Sequence, residues 1–308
     1  VQQTAAADMG LGDIAEQQVR WHEAYAHYKR AYDLTGDFNA LEGYARMAWR
    51  LGKYQESLEL NEIQLAQAKD TYGEESEQVA TILNNLGIRH QSLGQFDKAE
   101  PLYNQAIEIA RKTIGEDHPY FARQLNNLAA LYEDMGRYAE AEPLYHQAIE
   151  FGRRTRGEDH PDFATRLSNL AGLYQAMGRH EAAEPLYHQA IEIDRKTIGE
   201  DHPEFATGLN NLAGLFYAMG RYTEAEPLYH QAIEIDRKTL GEDHPNFAKR
   251  LNNIGFLYYS QERFSQAAPL LKRALAIREA TLPEGHPDTK VTRESLENLY
   301  AKHPELRD

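Results

Sequence analysis

Apolar residues recur at intervals of three and four along most of the chain, the spacing of helices that bury one face. The first clear stripe starts at Val19 and runs through Trp21, Ala24, Tyr25, Tyr28, Ala31 and Tyr32. Thr35-Gly36-Asp37 predicts the end of that helix and the start of another over 39–51, which Gly52 closes. A third amphipathic segment spans 54–72 and stops at Gly73. Ahead of these, residues 1–17 are Ala-rich and interrupted by Gly10 and Gly12, which predicts one short helix with frayed ends. No run alternates β-branched and polar residues, and Val is scarce, so no strand is predicted.

From Ser76 the pattern becomes periodic. A His-Pro pair stands at 118, 160, 202, 244 and 286, each step being 42 residues. Self-similarity at one fixed period predicts an array of stacked units rather than a globule built around one centre. The four units from His118 on each open with a Gly-Glu-Asp-His loop followed by Pro. Asp or His can cap orphan amides, and Pro at a first helical position loses only a donor that had no partner. Helix A then runs over 119–135 in the second full unit, with Phe121, Leu125, Leu128, Leu131 and Tyr132 on its apolar stripe. Gly136 permits a tight turn at positive φ. Helix B follows over 138–154, with Tyr138, Ala141, Leu144, Tyr145, Ala148 and Ile149 facing inward. So short a turn makes the two helices antiparallel neighbours.

Helix B carries Pro101, Pro143, Pro185, Pro227 or Pro269 about a turn and a half inside. The amphipathic pattern continues past each, which predicts a slight bend rather than a break. After His286-Pro287 one helix remains, over 288–302, more polar than its equivalents through Arg293, Glu294, Glu297 and Lys302, as a cap over the last unit's core. The expected organisation is one continuous domain. It comprises degenerate units over 1–75, five 42-residue units (76–117, 118–159, 160–201, 202–243 and 244–285) and a capping helix over 286–308.

A length of 308 residues would suggest two domains of about 150 each. The repeat overrides that expectation, because such arrays grow by adding units. Acidic residues number 48 against 33 basic, a net charge of −15. That balance argues against nucleic acid or an anionic membrane as the main partner and favours a basic or neutral one. There is no cysteine, hence no disulfide frame, thiolate metal site or Cys nucleophile. No apolar run approaches the roughly 18 residues of a membrane span. The N-terminus, VQQTAAADMG, has neither a basic nor an apolar targeting segment and no initiator Met. A trimmed or mature soluble form is expected, cytoplasmic in preference to periplasmic.

Leu128, Ala129, Tyr132, Gly136, Tyr138, Ala141, Tyr145 and Ala148 resemble the tetratricopeptide repeat (TPR) signature of small and aromatic residues at fixed offsets. The run Gly-x-Tyr-x-x-Ala-x-x-x-Tyr-x-x-Ala occupies 136–148 and 220–232. With Leu-Asn-Asn-Leu-Ala in helix A and the Gly-Glu-Asp-His-Pro loop, the longer unit is similar to the kinesin-light-chain class of TPR and to bacterial arrays of that class. The resemblance is strong over 76–302 and weak over 19–75. It implies an all-α, right-handed superhelix whose concave face, lined by helix A, takes an extended peptide or a partner helix. It also implies that the residues just before each Leu-Ala pair hold the peptide backbone. Those positions are Asn84, Asn85, Asn126, Asn127, Ser168, Asn169, Asn210, Asn211, Asn252 and Asn253.

An Asn amide both donates and accepts, so a row of them suits a peptide backbone of any sequence. The competing reading is that one Asn per unit bonds a neighbouring helix and fixes packing. The first Asn of each pair is expected to face the groove. Gln91, Glu133, Gln175, Tyr217 and Tyr259 lie a turn or more beyond the ladder, and Arg250 beside it. Arg123 and Lys249 stand four residues before an Asn, where a TPR clamp can hold a carboxylate; Thr81, Thr165 and Thr207 occupy that place elsewhere.

Histidines recur in the loops (118, 160, 202, 244, 286) and in helix B (146, 188, 230). Equivalent side chains in packed units stand about 10 Å apart. Metal bonds of about 2 Å cannot bridge that. The loop His is better read as a cap. The Glu-rich helix B surface (Glu140, Glu142, Glu150, Glu224, Glu226, Glu234) reads as a solvated convex face. No phosphate loop, nucleophile elbow or dinucleotide fingerprint is present. The expectation is a non-catalytic binding scaffold with no cofactor. Its alternatives are a self-associating structural module, giving a homo-oligomer, and the docking part of a larger enzyme.

Overall fold

The computed structural model describes residues 1–17, 20–282 and 286–307. Val19, where the first stripe begins, lies outside them, as does the end of the last expected unit at 283–285. The described residues form fifteen α-helices, one short 3₁₀ turn at Pro304–Leu306 and no strand. They divide into two compact units, Val1–Leu144 and Tyr145–Asp308.

The first unit holds α1 (Gln2–Gln17), α2 (Trp21–Thr35), α3 (Phe38–Arg50), α4 (Tyr54–Tyr72), α5 (Glu77–Ser92), α6 (Phe96–Thr113) and α7 (Pro119–Asp134). The division falls within α8 (Tyr138–Thr155). The second unit continues with α9 (Pro161–Ala176), α10 (His180–Thr197), α11 (Pro203–Ala218), α12 (Tyr222–Thr239), α13 (Pro245–Ser260), α14 (Phe264–Thr281) and α15 (Pro287–Lys302). In the first unit α1 packs on α2, α3 on α4 and α5 on α6, and each pair also touches the next. The second unit repeats the scheme with α9 and α10, α11 and α12, α13 and α14, and α15 behind them. A helices of successive pairs also touch: α5 meets α7, and α11 meets both α9 and α13.

The local chemistry explains the boundaries. His118, His160, His202, His244 and His286 are N-caps. Each accepts through Nδ1 from the amide two residues on, at 3.1–3.3 Å, with Pro as the first helical residue. A neutral imidazole thereby satisfies one of the orphan donors that every helix start exposes. Gly136 and Gly220 make the A-to-B turn at φ 70° and 73°. In the last pair Glu262 holds the same place at φ 59°, the one non-glycine residue in the left-handed region among the described residues.

The core lies between the two helices of each pair and between pairs. Helix B supplies a buried Tyr (Tyr103, Tyr145, Tyr187, Tyr229), and helix A a small residue beneath it. At Gly87 an added Cβ would come within 2.8 Å of the Tyr103 ring, so only glycine fits there. Helices α6, α10, α12 and α14 run unbroken through Pro101, Pro185, Pro227 and Pro269. No described helix is long and apolar enough to cross a membrane.

Candidate functional site

Where successive A helices touch within a unit, as α5 and α7 or α11 and α13 do, residues 43 apart meet across that line. In the first unit the Asn127 amide donates to Asn84 Oδ1 at 3.0 Å, and the Gln91 amide to Asp134 at 2.7 Å. In the second, the Asn253 amide donates to Asn210 at 2.8 Å. There too, Tyr217 Oη and Ser260 Oγ are 2.8 Å apart, and Lys302 donates to Tyr259 Oη at 3.4 Å. The separation is one repeat plus one residue, the offset that brings facing side chains of two parallel neighbours level.

This corrects one expectation. The first Asn of the pair does not face outward: Asn84, Asn210 and Asn252 are buried, at most 8% exposed. Asn84 and Asn210 accept from the next A helix, and Asn252 accepts from Thr292 at 2.9 Å. They point along the line of A helices, where an unpaired amide would carry a desolvation penalty. The second Asn of each pair (Asn85, Asn127, Asn169, Asn211, Asn253) is half-buried, as are Asn126 and Ser168. Arg123, in the first unit, is exposed, with its guanidinium 4.7 Å from the Tyr120 ring centre. Lys249, in the second, is exposed, yet its surroundings hold its ammonium below the usual range, through desolvation first and the nearby Arg250 second. Tyr217 and Tyr259 are half-buried and also lie against Tyr222 and Phe264.

Of the helix B glutamates, Glu140, Glu150, Glu224 and Glu234 are exposed, as expected of a solvated face, and the helix B histidines are exposed as well. His146 Nε2 lies 3.1 Å from Tyr174 Oη, and His230 Nε2 3.0 Å from Tyr258 Oη. Among the described residues no three His, Asp or Glu side chains form a metal-binding group. Glu226, expected on a solvated face, instead accepts from Arg263 and from Tyr258 at 2.8 Å each. Glu100 and Glu184 likewise accept from Arg137 and Arg221, 37 residues on. That Arg follows the turn glycine and stacks on an aromatic ring of its own A helix, at 4.1 Å for Tyr132 and for Phe216. The signal for this staple was the recurring Gly-Arg-Tyr at the turn.

One face carries groups that remain available. Two adjoining clefts, of 280 and 390 Å³, open between α3, α4 and α5 in the first unit and share Glu42, Gln64 and Asn85. The larger is also lined by Arg46, Trp49, Arg50 and Arg89. Arg46 is held by Glu16 through two bonds of 2.7 Å. The guanidinium of Arg89 lies 5.1 Å from the Trp49 ring centre, and its buried Nε has no hydrogen-bond partner among the described residues. Burial, and secondarily Arg46, push Arg89 down to about 10. Asn61 Oδ1, in the same cleft, is likewise unpartnered. Sequence reasoning named Asn85 as a groove residue and named none of the other residues of these clefts.

Several solved structures share this arrangement. BtubC (BKLC) from P. vanneervenii is 29% identical, with a TM-score of 0.58 over 69% of this chain and 85% of its own. A putative kinesin light chain with nearly identical TPR-like repeats, from Podosopora anserina, is also 29% identical, with a TM-score of 0.52 over 66% of this chain and 96% of its own. A tetratricopeptide repeat protein from Parabacteroides merdae shares the fold at 17% identity, with a TM-score of 0.63 over 96% of this chain and 99% of its own. No curated protein sequence matches the chain. The tetratricopeptide repeat pattern matches residues 36–112, 120–196, 162–217 and 204–280. With most of its length so matched, on an all-helical array of packed pairs, the chain belongs to the tetratricopeptide repeat family.

Proposed function

We propose that this protein is a non-catalytic scaffold that binds an extended peptide along its A helices, and that the clefts at Asn85 receive a segment bearing a carboxylate. The observation that carries this reading is the buried, unpartnered Nε of Arg89 beside Asn85. A desolvated guanidinium with an unspent donor gains a charge-assisted hydrogen bond when a carboxylate arrives, and the bond is strong because water is already excluded. Asn85 can donate to one peptide group and accept from another, so it fixes the backbone without reading the side chains. Trp49 and Ile88 supply apolar wall on the same side.

The chain's net charge of −15 acts at long range and slows the approach of an acidic segment. At contact distance Arg46, Arg50 and Arg89 set the local sign. In this reading Asn127, Asn169, Asn211 and Asn253 extend the same backbone-holding row within their own units, and Arg123 and Lys249 are secondary carboxylate contacts.

The test is selection of extended peptides from a random library on the full chain. Enrichment of Asp, Glu or a free C-terminal carboxylate that disappears with Arg89→Gln supports the proposal. Enrichment without acidic preference, or unchanged in Arg89→Gln, contradicts it.

A further inference from the structure

The turn from helix A to helix B carries Met-Gly-Arg at 135–137, 177–179 and 219–221, and Gln-Glu-Arg at 261–263. In the second unit Met219 and Gln261 hold one backbone place, each directly after its A helix, at φ −84° and −93°. The arginine two residues on is also placed alike. Arg221 stacks 4.1 Å from the Phe216 ring centre, and Arg263 4.0 Å from that of Tyr258. Arg221 Nη1 donates to Glu184 at 2.6 Å, and Arg263 Nη1 to Glu226 at 2.8 Å.

The same nitrogen faces the turn residue. Arg263 Nη1 donates to Gln261 Oε1 at 2.8 Å. Arg221 Nη1 instead lies 3.8 Å from Met219 Sδ, a thioether that accepts only weakly. Glutamine is close in shape to methionine sulfoxide. Its amide carbon stands in place of the sulfur, its carbonyl oxygen in place of the sulfoxide oxygen and its NH2 in place of the terminal methyl. The last pair therefore displays, in unmodified residues, the contact that an oxidised Met219 would make. An oxygen one bond out from Sδ toward Arg221 falls in the gap between sulfur and nitrogen. The bond to Glu184 need not be displaced, since Arg263 keeps both of its acceptors on one nitrogen.

The sulfur also stands where an oxidant can approach. Met219 is half-buried and lines a 550 Å³ surface cleft with Gly178, His180, Glu181 and Ala182. Met47, by contrast, is 0% exposed within the core of the first unit. The arrangement recurs in that unit, where Met135 Sδ lies 3.8 Å from Arg137 Nη1.

We propose that Met219 is a site of reversible oxidation by a hydroperoxide, and that Arg221 receives the sulfoxide. A sulfur lone pair forms the S–O bond as the peroxide O–O bond breaks. Sulfur gives up two electrons. With hydrogen peroxide, the departing hydroxide takes up the proton of the transferred oxygen and leaves as water. In the reverse direction a dithiol supplies two electrons and two protons, becoming a disulfide while the oxygen leaves as water. A sulfoxide ordinarily puts a polar group where an apolar chain was packed, and so disrupts the packing. Here the new oxygen meets a charged donor already in place, and the turn between α11 and α12 tolerates the change. This site stands apart from the clefts at Asn85 and does not depend on the reading given to them.

The test treats the full chain with hydrogen peroxide and follows it by peptide mass mapping and urea unfolding. Met219 should convert about tenfold faster than the enclosed Met47. The effect of the one site is read in a chain carrying Leu at positions 9, 135 and 177. There, oxidation of Met219 should leave the urea midpoint unchanged or raised. Adding Arg221→Leu removes the donor, and oxidation should then lower the midpoint. Met219→Gln in the otherwise unaltered chain copies the last pair and should unfold at or above the wild-type midpoint. Conversion of Met219 no faster than that of Met47 overturns the proposal. So does a midpoint that falls equally on oxidation with and without Arg221, or one lowered by Met219→Gln.

Discussion

The amide of Asn127 donates to Asn84, 43 residues earlier, and that of Asn253 donates to Asn210 in the same way. The acceptor is buried and the donor half-buried. The first asparagine of such a pair accepts the tie from a buried place, whereas the second stays half-buried and, at Asn127 and Asn253, donates it.

That division predicts unequal costs. Asn84→Ala strands a donor at a buried contact and should lower stability by about 1–2 kcal/mol. Asn85→Ala, one residue on, has a half-buried amide with no such tie and should change stability by less than about 0.5 kcal/mol. Urea unfolding of both variants checks this; equal losses would contradict the division.

The lone glutamate in a glycine's place offers a gain. Glu262 sits at φ 59°, a conformation that costs an L-residue about 1 kcal/mol and glycine almost nothing. Glu262→Gly should raise stability by about 1 kcal/mol, read as a higher urea midpoint at unchanged m. A lower midpoint would show that the turn is held by the glutamate side chain.

Breaking the buried contact between Arg250 and Asp236 should be costly. With Asp236→Ala, Arg250 is left charged in a place closed to water, and such losses run to about 3–5 kcal/mol. Thermal unfolding of the variant should show the second unit melting well ahead of wild type. A shift of only a degree or two would mean that the pair contributes little.

Asp194 gives a pH signature. Its folded pKa of about 6 lies above the unfolded value, so between about pH 4 and 6 the folded state binds more protons than the unfolded one. Stability from this group therefore falls as pH rises through that window, by up to about 3 kcal/mol in total. Asp194→Asn should flatten this slope, measured by urea unfolding from pH 4 to 8. A stability that rises through the window because of Asp194 would contradict the assignment.

The helices and their caps were legible because every repeat imposes the same constraint. Pro119, Gly136 and Tyr145 recur at one spacing, and each has a single physical role at its position. The side to which an asparagine points was not legible. One residue turns a helix by about 100°, and only the neighbouring A helix decides which of two adjacent amides is covered. The cluster at Arg46, Arg50 and Arg89 escaped notice because Arg46 and Arg50 stand in the degenerate stretch before Ser76 and Arg89 in the first regular unit, so no repeat comparison brings them together.

The most direct measurement is the affinity of a library-selected acidic peptide for wild type, Asn85→Ala and Arg89→Gln by calorimetric titration. Loss of a buried charge-assisted contact should weaken binding at least tenfold in Arg89→Gln, and loss of the backbone contact about three- to tenfold in Asn85→Ala, with melting points near wild type. Affinity unchanged in both variants would place the peptide elsewhere on the molecule and contradict the account.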